Sequence, residues 1–404
     1  MQKLIERVVY LEWLKKWREH QIIKVVSGVR RCGKSTLFEI YRNWLLSQNV
    51  EESQMISINF EDIDYEHLTN YRSLYEHIKS MLIPDKMNYI FLDEIQHVDS
   101  FEKAIDSLFL KENCDVYITG SNAYFMSGEL ATMLSGRYIE LKMLPLSFRE
   151  FCSGLHEPAM SNAQKFDRYI NYGSFPYITK FDSTQQEARD YLRDIYHSVL
   201  LKDIVARLNI SDITMLENVT KFVLHNIGNM TSATKIANTL KSEGRSADQK
   251  TVDRYLRGLT DSLMIYSTKR YNLKGKMFLK TNHKYYAVDM GLRNCLVKGS
   301  ESDIGHILEN VVFLELLRRG YDVYVGQLED GEIDFVAVNG DDISYYQVAA
   351  TTLEESTLTR ELAQLKKVGD NYPKYLLTLD EMFATADYNG IKKKNVLNWL
   401  LEEP

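Results

Sequence analysis

The first region of the chain switches repeatedly between an apolar run and a helical pattern. Ile22–Val26 (IIKVV) is a short, mostly apolar run, followed by a Gly-containing loop and then TLFEIYRNWLL, whose apolar residues recur at helical spacing. The same sequence of events repeats downstream. MISINFED at Met55–Asp62 precedes a helix around Tyr71–Leu82, YIFLDE at Tyr89–Glu94 precedes the helix FEKAIDSLFL, and DVYITGSN follows at Asp115–Asn122. Such alternation predicts an α/β fold with a parallel sheet flanked by helices, continuing through YIELKML and ending before Pro145.

Beyond Ser147 the pattern changes. Residues up to about Ile210 are helical and Tyr-rich, and read as a connector or lid. Three helical stretches follow, MLENVTKFVLHNIG, TSATKIANTLKSEG and DQKTVDRYLRGLTDSL, with Gly228 and Gly244 as stops and Thr231 or Ser232 as a cap. A hairpin pattern, MIYSTKRYNLKGKMFLKTNHKYYAVD, closes this group, which resembles a winged helix-turn-helix. After the boundary KGSESDIG come a helix (HILENVVFLELLRRG), strands (YDVYVGQ, EIDFVAV, ISYYQVAA), another helix and a strand, YLLTL. The expected division is therefore 1–150, 151–210, 211–296 and 303–404.

Composition narrows the class. At 404 residues the chain is long enough for two to four domains, and 45% apolar with 26% charged residues is typical of globular proteins. No stretch approaches the roughly 18–20 uncharged apolar residues of a membrane span, and the charged start has no apolar core of a secretory signal. That start reads as an amphipathic helix packed on the first domain. Cys32, Cys114, Cys152 and Cys295 are scattered, which argues against a disulfide framework or zinc site and for a cytoplasmic location. The net charge of −7 excludes a generally basic nucleic-acid binder, though not a local basic surface.

GVRRCGKS, from Gly28 to Ser35, fits G-x-x-x-x-G-K-S between a strand and a helix. In such a loop consecutive backbone N–H groups of Gly28, Val29, Arg30, Arg31, Cys32, Gly33, Lys34, Ser35 and Thr36 face phosphate oxygens at a helix N-terminus. Lys34 is expected to reach the β- and γ-phosphates of ATP, and Ser35 to ligate Mg2+. Cys32 is a candidate site of thiol sensitivity. Asp93 at the end of YIFLDE is the second expected Mg2+ ligand, and Glu94 the base that polarises water. One strand (SINFED) lies between the two motifs, the mark of the P-loop class that uses a catalytic glutamate. Thr119, Ser121 and Asn122 are candidates to sense the γ-phosphate, or merely cap a strand end. Arg137 is a candidate to stabilise charge in cis or across a subunit interface, or a plain surface ion pair.

Taken together, SGVRRCGKST, YIFLDEIQHV, ITGSNAYFMSGELATMLSGRY with LPLSFREF, YGSFPY, LLKDIVAR and EIDFVAV…YYQVAATT resemble the AAA-type ATPases of bacteria and archaea that carry a C-terminal domain of unknown function. The resemblance spans nearly the whole chain. It implies a P-loop ATPase core, a winged-helix module and a final α/β domain similar to PD-(D/E)xK nucleases.

In the expected recognition helix Lys250, Arg254 and Arg257 fall on one side, and the wing carries Lys269, Arg270, Lys274, Lys276, Lys280 and Lys284 without an acid from Met264 to Lys284. That pattern suits phosphate contacts to DNA, or a solvated hairpin used for protein contacts. Glu309, Asp334 and Gln347 form a candidate second metal site. Nuclease chemistry would also use a lysine two residues after Gln347, where Ala349 stands; Lys366 or Lys367 could substitute. Glu332 is expected to point away from this group. ATP-gated engagement of DNA or a partner, an ATP-regulated Mg2+-dependent nuclease, and a nucleotide-gated signalling or scaffold protein without DNA contact all fit these residues, and a homo-oligomer or protein partner is a further expectation.

Overall fold

Five strands make the first sheet: β1 (Ile23–Gly28), β2 (Met55–Asn59), β3 (Asn88–Asp93), β4 (Cys114–Gly120) and β5 (Tyr138–Met143). Their spatial order is β2-β3-β4-β1-β5, and every pairing is parallel. The computed structural model describes residues 4–120, 134, 136–155, 159–180, 184–245, 247–275, 277–297 and 303–403. β1 and β3 are buried along their whole lengths, as strands covered on both faces must be. One face packs α3 (Tyr71–Met81) and α4 (Phe101–Phe109) through Leu74, Ile78, Ile105 and Leu108 against Ile56, Ile90 and Ile118. The other face packs α2 (Lys34–Ser47), whose Phe38 and Tyr41 meet Phe91 and Tyr117; the last two rings stack at 4.9 Å.

Lys24, the one charge in the first apolar run, is fully buried. It is paired with Asp115, which accepts a further hydrogen bond from Tyr117 at 2.8 Å. The amphipathic start forms α1 (Val8–Lys16), with Tyr10 and Leu14 buried.

The chain divides into two compact units, Met1–Pro145 with Asp261–Leu263, and Leu146–Thr260 with Met264–Pro404. The second begins with α5 (Phe148–Gly154) and α6 (Asn162–Tyr172). Both start with reciprocal capping boxes, Ser147 with Glu150 and Ser161 with Gln164. Next, α7 (Gln185–Ser198) runs on into a π-helical segment, Val199–Val205. The three expected helices follow as α8 (Ile213–His225), α9 (Ala233–Ser242) and α10 (Gln249–Asp261). Ser232, not Thr231, caps α9 by accepting from Lys235 N. Gly228 and Gly244 take positive φ values of 72° and 79° at the expected stops.

The hairpin departs from expectation. β6 (Ile265–Asn272) and β7 (Met277–Ala287) do not stand as a free wing. β6 pairs in parallel with β8 (Asp322–Gln327), so the hairpin is one edge of an eight-stranded sheet ordered β12-β13-β11-β10-β9-β8-β6-β7. Backbone groups of β6 would otherwise be an unpaired edge, and β8 satisfies them. The sheet thus takes strands from both sides of the expected domain boundary near 296–303.

The rest of that sheet comprises β9 (Glu332–Asn339), β10 (Asp342–Ala349), β11 (Lys374–Thr378), β12 (Thr385–Tyr388) and β13 (Ile391–Asn395), preceded by α11 (Met290–Leu296). It packs against α12 (Ile304–Arg318), whose Phe313 stacks on Tyr286 at 4.2 Å, while α13 (Glu355–Lys366) buries Leu362 and Leu365 against Ile333, Val336 and Leu376. β12, β13 and the last helix, α14 (Val396–Leu401), were not visible in the pattern, because β13 reads IKKKN and lacks an apolar run. No helix among the described residues is long and apolar enough to cross a membrane.

Candidate functional site

The loop after β1 is built around two close approaches. A Cβ on Gly28 would lie 2.5 Å from Met143 O and 2.7 Å from Cys32 Sγ, so only glycine lets β1 end against β5 here. Arg31 (φ 64°) and Gly33 (φ 103°) take left-handed conformations on either side of Cys32, the kind of backbone in which successive amides can line one concavity. α2 opens at Lys34, adding its N-terminal dipole to that concavity. Lys34 is 4% exposed; its Nζ lies 3.3 Å from Gly28 O and 3.5 Å from Glu94 Oε1. Arg30 pairs with Glu61 at 3.3 Å, and Arg31 and Ser35 are exposed. Cys32 is completely buried, and burial pushes its thiol up, so the expected thiol sensitivity of the loop is not supported.

β3 delivers both acids to the same edge. β4 lies between β1 and β3, so Thr119 at its end stands beside Asp93. The Thr119 hydroxyl donates to Asp93 Oδ1, and accepts from the Glu94 backbone N–H at 3.0 Å. Asp93 also hydrogen-bonds the Ser35 hydroxyl. Burial raises its carboxyl above the usual range, with the Ser35 and Thr119 bonds opposing the shift. Glu94, with φ 55°, sits in the left-handed region where a non-glycine residue is strained, a feature concentrated at functional sites. Gln96 Nε2 donates to Glu94 Oε2 at 2.5 Å. Glu61, Glu94 and His97 also bring one ligand atom each within 4.8 Å of one another. The positions of Gln96, Glu61 and His97 had no signal in the sequence pattern.

Three further candidates remain. Ser121 and Asn122 lie outside the described residues. Arg137 immediately precedes β5, whose Tyr138 is in register with Ile23 and whose Met143 is in register with Gly28. It therefore lies at the sheet edge opposite the loop, about 20 Å away at roughly 3.3 Å per residue. An action in cis is ruled out by that distance; Arg137 instead approaches Asp106 at 3.7 Å and the Phe109 ring at 5.4 Å.

With this geometry in hand, comparisons with known proteins are informative. Residues 20–152 match a family described as an AAA domain, and residues 163–303 one described as a domain of unknown function. An uncharacterized protein of Haemophilus influenzae is 38% identical over 402 residues, 99% of each chain. The chain belongs to that family of AAA-domain proteins. A second member, an uncharacterized protein of Methanocaldococcus jannaschii, is 30% identical over 361 residues, 85% of this chain and 78% of the other. Among solved structures, the Walker-type ATPase of Pyrococcus abyssi is similar with a TM-score of 0.50 at 14% identity, covering 72% of this chain and 96% of that one. The AAA domain thus has a P-loop ATPase fold.

Outside the AAA domain, the acidic candidates form a cluster whose lysine comes from the expected hairpin rather than from the residues after Gln347. Tyr324 of β8 opposes Val336 and Gly326 opposes Ile333, so Asp334 and Phe335 share one partner position in a β-bulge. Asp334 is thereby brought beside Glu309 and Lys284, although strict alternation would set it apart from Phe335. Lys284 Nζ lies 2.9 Å from Glu309 and 2.9 Å from Glu332, and Tyr286 donates to Glu309 at 2.7 Å. Glu332 therefore faces the cluster, contrary to expectation. Gln347 Oε1 accepts from Asp334 N at 3.4 Å, and its Nε2 donates to Glu361 at 2.9 Å.

Burial, then the neighbouring Glu309, holds the Asp334 carboxyl well above its ordinary range. Burial, the largest single influence, would raise Glu309, but the Lys284 charge together with hydrogen bonds from His306, Tyr286 and Lys284 outweighs it and the carboxyl is lowered. Burial opposes the charge on Lys284, yet Glu309, Asp334 and Glu332 hold it protonated. Neither Lys366 nor Lys367 joins the group: both are exposed, and Lys367 binds Asp330 O at 2.6 Å.

The expected basic surface is smaller than the sequence implies. Lys284 is buried, Arg270 hydrogen-bonds Gln327, and Lys274 pairs with Glu329 at 2.6 Å. Arg254 donates to Leu208 O and, at 3.4 Å, to Asn209 O, satisfying carbonyls at the end of a preceding helix. Lys250, Arg257 and Lys269 are exposed; Lys276 and the Lys280 side chain lie outside the described residues.

Proposed function

We propose that the chain binds and hydrolyses ATP with Mg2+ at Gly28–Ser35, and that the nucleotide state governs how the second unit engages DNA or a protein partner. The observation that carries the first half is the continuous path Ser35–Asp93–Thr119–Glu94 beside buried Lys34. The donor set fits the ligand: glycine at the close approach, left-handed residues around Cys32, and a lysine at a helix N-terminus are what a triphosphate needs.

In this reading the loop amides and Lys34 bind phosphate oxygens, and Ser35 and Asp93 hold the ion. The magnesium supplies Lewis acidity to the terminal phosphoryl group. Glu94 takes a proton from the attacking water, and Gln96 orients its carboxylate for this.

The test separates binding from turnover. Lys34→Ala should abolish affinity for ATP, whereas Glu94→Gln should bind normally and lose about 10²-fold or more in kcat. Wild-type turnover in Glu94→Gln would remove the assigned base. Stimulation of the ATPase by DNA tests the second half, for which Lys250, Arg257 and Lys269 are exposed candidate cations.

A second reading, a Mg2+-dependent nuclease in the second unit, is favoured by Lys284, which supplies a buried ammonium beside Asp334 and Glu309 where Ala349 cannot. Plasmid cleavage lost in Asp334→Ala would support it; no cleavage with any divalent ion would exclude it.

A further inference from the structure

Just ahead of α1, one arginine reaches the phosphate-binding loop from a segment far away in sequence. Arg7 is 3% exposed, and its Nη1 donates to Cys32 O at 3.0 Å. Its Nη2 donates to Leu144 O at 2.7 Å and Pro145 O at 3.3 Å, just beyond β5. The guanidinium lies 4.8 Å from the Tyr10 ring centre, and the Tyr10 hydroxyl accepts from Leu144 N at 3.1 Å. One planar fork therefore ties the loop to the strand exit beside which Gly28 makes its close approach.

The geometry of a single peptide gives this contact its meaning. In a trans amide the C=O and N–H point in opposite directions. With the Cys32 carbonyl held by Arg7, the N–H of Gly33 in the same peptide is directed away from Arg7. We infer that Arg7 is a positioning residue of the phosphate loop, fixing the Cys32–Gly33 peptide so that the Gly33 amide stays turned into the anion-binding concavity. The inference rests on the nucleotide-binding reading above.

The loop needs such a fixture. Gly33 carries positive φ, and so does Arg31 one residue before Cys32, so the Cys32–Gly33 peptide lies in a short segment with two residues outside the common backbone wells. Rotating this peptide would point a carbonyl at the phosphates in place of an amide, reversing the sign of the local dipole. Arginine suits the position because its fork bonds several carbonyls at once in one plane. Lysine presents a single point charge and cannot span both segments equally well.

The experiment measures the affinity of a fluorescent ATP analogue with Mg2+, and KM and kcat for ATP, in wild type, Arg7→Ala, Arg7→Lys and Tyr10→Phe. Thermal unfolding without nucleotide is recorded for each. Arg7→Ala should weaken binding on the order of 10-fold, the factor associated with one charge-assisted hydrogen bond, and raise KM more than it lowers kcat. Arg7→Lys should fall between the two. Tyr10→Phe removes a neighbouring hydrogen bond without touching the loop and should bind within about twofold of wild type.

Unchanged affinity in folded Arg7→Ala, or equal losses in Arg7→Ala and Tyr10→Phe, would overturn the inference by reducing Arg7 to general support. Should Arg7→Ala not fold, Arg7→Lys decides: wild-type affinity there would overturn the inference, and a weakened one would support it. If wild type itself binds no nucleotide, the parent reading fails instead.

Discussion

Thr119 shows how much one hydroxyl can organise. It donates to Asp93 and accepts from the Glu94 amide, so one side chain sets the rotamer of the first acid and the strained backbone of the second. Valine has nearly the same shape but offers neither bond, and would leave the buried Glu94 N–H unpaired. Thr119→Val should therefore keep ATP affinity near wild type while lowering kcat by about 10-fold, equivalent to ~1.4 kcal/mol. Steady-state kinetics with an independent binding titration checks this, and equal kcat in the two proteins would refute it. Legibility at this scale was uneven. Lys34, Ser35, Asp93 and Glu94 could be picked from spacing because the loop and strand are local features. Arg7 and Gln96 could not, since their value depends on which carbonyl or carboxylate the folded chain sets beside them.

Among elements, the eight-stranded sheet brings together two aspartates whose surroundings drive them in opposite directions. Asp334 is raised by burial and then by Glu309, so it favours the protonated form in the folded protein. Its contribution to stability is complete below the ordinary aspartate pKa and is lost as pH rises through the folded value. For Asp380, burial is outweighed by the Lys393 bond at 2.8 Å and by Thr351 and Thr352, and the carboxyl is lowered. That contribution is present above the ordinary pKa and is lost as pH falls through the folded value. Asp334→Asn should consequently gain stability relative to wild type at pH 8 compared with pH 5, and urea midpoints at the two pH values measure it. The same offset at both would show that Asp334 ionises normally. The helices of this unit were readable from periodicity and caps. The membership of β6 and β7 was not, because a hairpin's sequence does not encode which outside strand completes its edge.

Across the whole molecule, strand order decides which remote residues can serve the proposed nucleotide site. Parallel register sets Gly28 beside Met143 and leaves Arg137 at the opposite edge, so any catalytic use of Arg137 would require a second copy of the chain. Placement of β4 between β1 and β3 turns a strand distant in sequence into the bridge between Asp93 and Glu94. In the second unit, Lys284, Glu309, Glu332, Asp334 and Glu361 come from four elements and meet at one bulge. The sequence by itself determined the P-loop motif, the two acids at the end of β3 and the helix stops. Each depends on contacts within a few residues, where backbone geometry and spacing suffice. The tertiary structure alone decided the Arg7 strap, the lysine of the acidic cluster, the capture of the hairpin by β8 and the shrinking of the basic surface. In those cases the partner is set by burial and strand pairing over tens to hundreds of residues, and charge along the chain says nothing about the charge folded opposite it.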